Sequence, residues 1–93
     1  MQTIEIFYLK GCPYCENAKQ AVRELLAETP AYGALTVRWI EENEEKALAD
    51  SRDYYRVPSV FCGGEKLYEC SPLHGYGAIK ARIRDVFDQA LAS

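Results

Sequence analysis

Cys12 and Cys15 stand three apart in Gly11-Cys12-Pro13-Tyr14-Cys15, just after an apolar run and just before an amphipathic one. Packing gives little reason for two thiols separated by a proline and a tyrosine. If a helix begins here, residues at i and i+3 lie about 5–6 Å apart, inside the roughly 4.4–6.8 Å Cα separation that a disulfide requires. Such a pair can close and open its own disulfide with little backbone movement. The thiolate is the attacking species in that chemistry, and the unpaired N–H groups of a helix start favour the anion. Cys12, at or just before the first helical residue, is therefore the expected nucleophile, with Lys10 two residues away as a nearby positive charge. Cys15, one turn inside, is the expected resolving thiol. Pro13 and Tyr14 hold the spacing, and the Tyr14 ring can cover one side of the site.

The rest of the chain bounds what such a pair is used for. Ninety-three residues predict one domain over 1–93, with 48% apolar and 27% charged residues, an ordinary globular composition. The net charge is −3 and the basic residues are scattered, so no nucleic-acid or membrane-surface partner is expected. No apolar run approaches the roughly 20 residues that span a bilayer, and residues 1–9 lack the basic start and cleavage site of a signal peptide. Four cysteines without an export signal fit a reducing compartment, the cytoplasm, and working thiols better than a disulfide framework. A monomer is expected.

The elements that must position the pair emerge from periodicity. Residues 2–9 predict a strand apolar on both faces, with Ile4, Ile6 and Tyr8 on one and Phe7 and Leu9 on the other. Residues 13–28 predict a helix, with Ala18, Ala21, Val22, Leu25 and Leu26 on its apolar stripe and Pro13 in its first turn. A loop at 29–33 leads to a strand over 35–40, in which Leu35, Val37 and Trp39 alternate with polar residues. Asn43 is a candidate cap for a short helix over 43–54 with Ala47, Leu48 and Tyr54 or Tyr55 inward, and the Glu41–Glu45 run reads as its solvated start. Strands at 59–62 and 65–69 flank a Gly63-Gly64 hairpin turn. Ser71-Pro72 resembles an N-cap with a first-turn proline, Gly75 and Gly77 weaken or bend the start of that last element, and 78–91 predicts a firm helix. The order is βαβαββα. The first βαβ unit pairs its strands in parallel, with a right-handed crossover, and the fold class is α/β, a mixed four-stranded sheet with helices on both faces.

Beyond the pair, Cys62 reads as a buried strand cysteine, Cys70 as either a structural or an accessory thiol, and His74 as a solvated residue at a helix start. A four-cysteine metal site would need Cys62 and Cys70, which lack the C-x₂₋₄-C spacing, so no metal is expected.

Cys12-Pro13-Tyr14-Cys15 resembles the active-site tetrapeptide of dithiol glutaredoxins, within the thioredoxin-like superfamily. Arg56-Val57-Pro58-Ser59-Val60-Phe61 resembles the family's Thr-Val-Pro-x-Val-Phe segment, and a Gly-x-x-Leu run followed by Cys70 keeps the family's spacing. The resemblance covers the whole chain and implies a thioredoxin-like fold, no tightly bound cofactor, and glutathione as co-substrate. It further implies that Val57 offers its backbone to the cysteinyl part of glutathione and that Pro58 is cis and shapes that groove. Lys10 and Tyr14 would lie near the ligand, and Cys70 and Ser71 would stand where the γ-glutamyl end is held. The chain departs from the pattern at Tyr68-Glu69-Cys70-Ser71-Pro72, where the family carries Gly-Gly-Cys-Asp-Asp or a close variant. Loss of the acidic pair removes a charge-assisted contact, a cost of about 1.5–3 kcal/mol. Three readings result: a glutaredoxin-type reductant of protein or glutathione-mixed disulfides, a redoxin recharged by a flavoprotein disulfide reductase, and a non-enzymatic metal-binding or redox-sensing module.

Overall fold

The computed structural model describes residues 3–92; Gln2, included in the first predicted strand, lies outside them. Strand β1 spans Thr3–Tyr8, β2 Thr36–Glu41, β3 Ser59–Cys62 and β4 Glu65–Glu69; helix α1 spans Pro13–Glu28, α2 Lys46–Asp50 and α3 Tyr76–Ala92. The sheet order is β2-β1-β3-β4. β1 runs parallel to β2, with Ile4 beside Val37 and Ile6 beside Trp39, and antiparallel to β3, with Ile6 beside Val60. β3 and β4 form the antiparallel hairpin, their glycine turn taking φ of 61° at Gly63 and 82° at Gly64, values that favour residues without a Cβ. The register slips between Val60 and Phe61, a bulge that no alternation in the sequence announces.

Because β1 is central, both of its faces are covered, and its alternation sorts residues between two clusters. Ile4 and Ile6 join Val60, Tyr68 and the inward stripes of α1 and α3 in the larger cluster. Phe7, facing the other way, packs with Ile40, Phe61 and Ala49 of α2 in the smaller one. Phe7 meets Phe61 edge-on at 5.5 Å and Tyr54 at 5.2 Å. A chain of polar contacts fastens α1 to α3: Glu24 accepts from the Tyr76 hydroxyl, from Lys80 Nζ at 3.0 Å and from Gln20 at 3.1 Å.

The helix predicted over 43–54 is much shorter, Lys46–Asp50. Asn43 does not cap it. Glu41, 5% exposed, takes the Asn43 and Glu44 amides on its own carboxylate at 2.6 and 3.3 Å, and this turn delays helix entry until Lys46. Glu41 is therefore not part of a solvated helix start. Ala47 faces outward, Ala49 is the buried alanine, Tyr54 covers Phe7, and Tyr55 is 90% exposed. β2 begins at Thr36 because Leu35 closes a 3₁₀ turn over Pro30–Ala34. The last helix starts at Tyr76, so Gly77 is accommodated within its first turn. Leu26, assigned to the stripe of α1, is 39% exposed.

Candidate functional site

The loop after β1 turns at Gly11, where φ is 83°, and delivers Cys12 to the N-cap of α1 with Pro13 as the first helical residue. The Cys12 carbonyl accepts the first helical bond, from Glu16 N at 3.0 Å, while its side chain makes no capping bond. The amides of Tyr14 and Cys15 thus belong to the first-turn donors that have no intrahelical acceptor, and the positive end of the helix dipole lies at the Cys12 sulfur. Cys15 is fully buried. Burial pushes its thiol up to about 12; the adjacent Cys12 sulfur acts in the same direction, and a backbone hydrogen bond from Leu9 opposes both. A half-buried thiol at a helix start, with a buried, protonated thiol one turn inside, is the arrangement the sequence predicts.

Glu41, a surface charge by its sequence neighbourhood, instead anchors this loop. It accepts the Lys10 amide at 3.0 Å in addition to its two bonds inside its own turn, and these amides, led by that of Lys10, hold its carboxyl below the usual carboxylate range. The sequence signal is weak, since one glutamate in a run of acidic residues looks like its neighbours. Lys10 itself turns its ammonium onto Glu44 in an exposed ion pair and takes no part in lining the groove beside the thiols.

Val57-Pro58 is cis. Beside it lies this groove of about 330 Å³, lined by Leu9, Tyr14, Glu42, Tyr55, Arg56 and Val57 and by the run Cys70-Ser71-Pro72. Glu69 shapes this wall by accepting the Tyr55 and Arg56 amides at 3.0 and 2.9 Å. Among the described residues nothing bonds the Val57 N–H or C=O, so a strip of unpaired backbone borders the groove. Pro58 is buried, and its carbonyl accepts the Cys70 amide at 2.9 Å, which brings Cys70 to the site. Cys70 is 4% exposed; burial pushes its thiol up, the Tyr68 hydroxyl opposes this, and Cys12 is near enough to add to it. Tyr14 spans from α1 to the far rim, its hydroxyl donating to the Pro72 carbonyl at 3.0 Å. Cys12, Cys15, Tyr14, Val57, Pro58, Cys70 and Ser71 are thus brought together, and Lys10 stands aside. Cys62 is buried in β3, opposite Ile4. Among the described residues no three His, Cys, Asp or Glu side chains converge as a metal site.

His74 is half-buried and partnered rather than freely solvated. Its ring stacks on Tyr68, with centroids 5.7 Å apart, and its Nδ1 meets the Tyr68 hydroxyl at 2.8 Å and the Ser71 amide at 3.3 Å. An amide can only donate, so Nδ1 is the unprotonated nitrogen of this ring.

No curated protein matches the chain. Among solved structures it is similar to a mutant thioredoxin from Halobacterium salinarum NRC-1, at 27% identity over 90% of this chain and 73% of that one, with a TM-score of 0.59. It is also similar to oxidised glutaredoxin 2 from Chlamydomonas reinhardtii, at 25% identity over 97% and 78% of the two chains, with a TM-score of 0.48. The family model described as Glutaredoxin matches residues 4–67, from the first strand through the paired cysteines and the cis-proline into the hairpin. With its thioredoxin-like α/β fold, the chain belongs to the glutaredoxin family of thiol–disulfide oxidoreductases.

Proposed function

We propose that the protein reduces protein disulfides and glutathione-mixed disulfides by a dithiol mechanism, with Cys12 as nucleophile and Cys15 as resolving thiol, in the cytoplasm. The Cys12 thiolate attacks one sulfur of the substrate disulfide, forming a mixed disulfide and releasing the other sulfur as a thiolate that takes up a proton. Cys15 then loses its proton and attacks the Cys12 sulfur. The Cys12–Cys15 disulfide closes, the second substrate thiol leaves, and two electrons have passed from the protein to the substrate. Recharging reverses this with two electrons from outside, supplied by two glutathione molecules or by a flavoprotein disulfide reductase. The observation that carries the dithiol reading is the placement of the two sulfurs, one at the α1 N-cap and the other one turn inside and buried.

Substrate binding rests on the unpaired Val57 backbone, which can pair with an extended segment on either side of a substrate cysteine. Tyr14 and Cys70 line the groove in which that segment would lie. A second reading, recharge by a flavoprotein reductase, is favoured by the Ser71-Pro72 rim, where the Ser71 amide is already bonded to His74 and Pro72 has no N–H to give.

The test has two parts. Cys12→Ser is expected to abolish reduction of every disulfide, while Cys15→Ser retains part of the activity on glutathione-mixed disulfides and loses it on protein disulfides. An active Cys12→Ser protein contradicts the assignment. The oxidised protein is then offered each reducing system separately: rapid reduction by glutathione with its reductase supports the first recharge route, and failure there with success by a thioredoxin-reductase-type flavoenzyme supports the second.

A further inference from the structure

Every backbone donor from Cys70 to His74 already has an acceptor inside the protein. Cys70 N bonds Pro58 O at 2.9 Å, Ser71 N bonds His74 Nδ1 at 3.3 Å, Leu73 N bonds Ser71 Oγ at 3.2 Å, and His74 N bonds Ser71 O at 2.9 Å. Pro72 has no N–H, and its carbonyl is taken by Tyr14. Three of these residues line the groove, so this rim presents no amide to a carboxylate, a ligand group that depends on such donors. What the rim does present is apolar. Leu73, next to Pro72, is 93% exposed, and Tyr55 in the lining is 90% exposed.

Among the groove-lining residues Cys70 to Pro72, the Ser71 amide is the one held by a side chain, and so it can be freed by changing that side chain. We propose that His74 is a positioning residue that selects polypeptide disulfides over glutathione-mixed disulfides. Its Nδ1 withdraws the Ser71 amide from the groove and holds Pro72 and Leu73 as an apolar rim. The proposal rests on the reading of this groove as the substrate site. A glutathionyl group carries two carboxylates and an ammonium, and the charges left in the lining are the single pair Arg56 and Glu42. A polypeptide flanking its disulfide with an apolar side chain brings no terminal carboxylate to satisfy, and it can cover Leu73 or Tyr55 while its backbone pairs with Val57. The partner this groove fits is therefore an extended, apolar-flanked segment of a protein disulfide.

Two substitutions separate the Nδ1 contact from the bulk of the ring. His74→Phe keeps a ring stacked on Tyr68 and deletes the nitrogen that both the Tyr68 hydroxyl and the Ser71 amide meet, which releases the Ser71 amide to the groove. His74→Asn places a carbonyl oxygen where Nδ1 stood and restores the bond. Each protein, fully reduced beforehand so that recharging plays no part, is given glutathione disulfide and, separately, a disulfide-linked peptide with leucine beside its cysteine. The single-turnover rate is followed against substrate concentration, its limiting value and half-saturating concentration standing for kcat and KM. In His74→Phe the ratio of kcat/KM is expected to shift toward glutathione disulfide by about ten- to hundredfold, the range that a hydrogen bond to a charged group supplies. The shift is expected through KM rather than kcat, and His74→Asn retains the native ratio. An unchanged ratio in His74→Phe, equal shifts in both variants, or a change confined to kcat overturns the proposal. Failure of the underlying reading has a different signature, in which the reduced native protein acts on neither substrate.

Discussion

At the start of α1 the amides of Tyr14 and Cys15 have no intrahelical acceptor, whereas at the 70–74 rim each amide is already bonded within the protein. Both stretches border the same groove, and Tyr14 ties one to the other through Pro72. The first keeps its polar groups available because a helix cannot satisfy its own first turn, and an available donor set favours a thiolate. The second has closed on itself through Ser71 and His74, and leaves apolar surface. Under the proposals made above, reactivity belongs to the α1 side of the groove and selection of what reaches it to the 70–74 rim.

The largest expected effect lies within the reactive wall. Burial pushes the Cys15 thiol up to about 12 and so keeps it protonated at pH 7, and its side chain is fully buried. In native, reduced protein at pH 7, iodoacetamide should modify Cys12 more than about a hundredfold faster than Cys15 or the buried Cys70, as read by peptide mass spectrometry. Comparable rates would erase the distinction between nucleophile and resolver.

Next in size is the support beneath that wall. Glu41→Ala leaves the Lys10 and Asn43 amides without their acceptor, while the Glu44 amide keeps the backbone carbonyl of residue 41, and a Tm lowered by about 4–8 °C is expected. Acid should act on the same framework. The Tyr76 hydroxyl, with Gln20 and Lys80, holds the Glu24 carboxyl at about 2 against an ordinary 4.5, and the Lys10 amide holds Glu41 down as well. Folded-state values below the unfolded ones mean that this stabilisation is complete above about pH 4.5 and is lost as pH falls toward 2. Denaturant midpoints followed from pH 6 to pH 2 should drop across that window, and Glu24→Gln should flatten the drop. A smaller change is expected at the link between the walls. Tyr14→Phe removes one hydrogen bond from Pro72, worth about 0.5–1.5 kcal/mol, and should raise KM for a peptide disulfide a few-fold with little loss of kcat. A large fall in kcat would mean that Tyr14 takes part in the chemistry itself.

How much of this is legible in the chain differs between the same two regions. The reactive wall obeys local rules. An apolar run, a glycine, Cys12 and a first-turn proline predict a strand, a turn and a helix start at Pro13, and the helix begins there. The β1–β2 parallel pairing comes from the helical connection between those strands and the β3–β4 antiparallel pairing from the Gly63-Gly64 turn. The features that escape are decided by side chains competing for backbone amides at long range or against expectation. Glu41 looks like one of several similar acidic residues until its burial and its bond to Lys10, 31 residues away, set it apart. His74 looks solvated because its partner Tyr68 lies on a strand whose bulged register no sequence period encodes. The ion pair of Lys10 with Glu44 escapes for the same reason, since the turn built by Glu41 is what brings Glu44 within its reach. Tyr54 and Tyr55 are adjacent and alike in sequence, and only packing on Phe7 selects Tyr54 as the inward one.

The central claim, that Cys12 attacks and Cys15 resolves, is tested most directly by trapping. Cys15→Ser protein, reduced and mixed with a peptide disulfide, is quenched with acid and mapped by non-reducing mass spectrometry. A mixed disulfide on Cys12 that accumulates in the variant and not in the native protein is the predicted result. Peptide attached to Cys70 instead, or equal accumulation in the native protein, would contradict it.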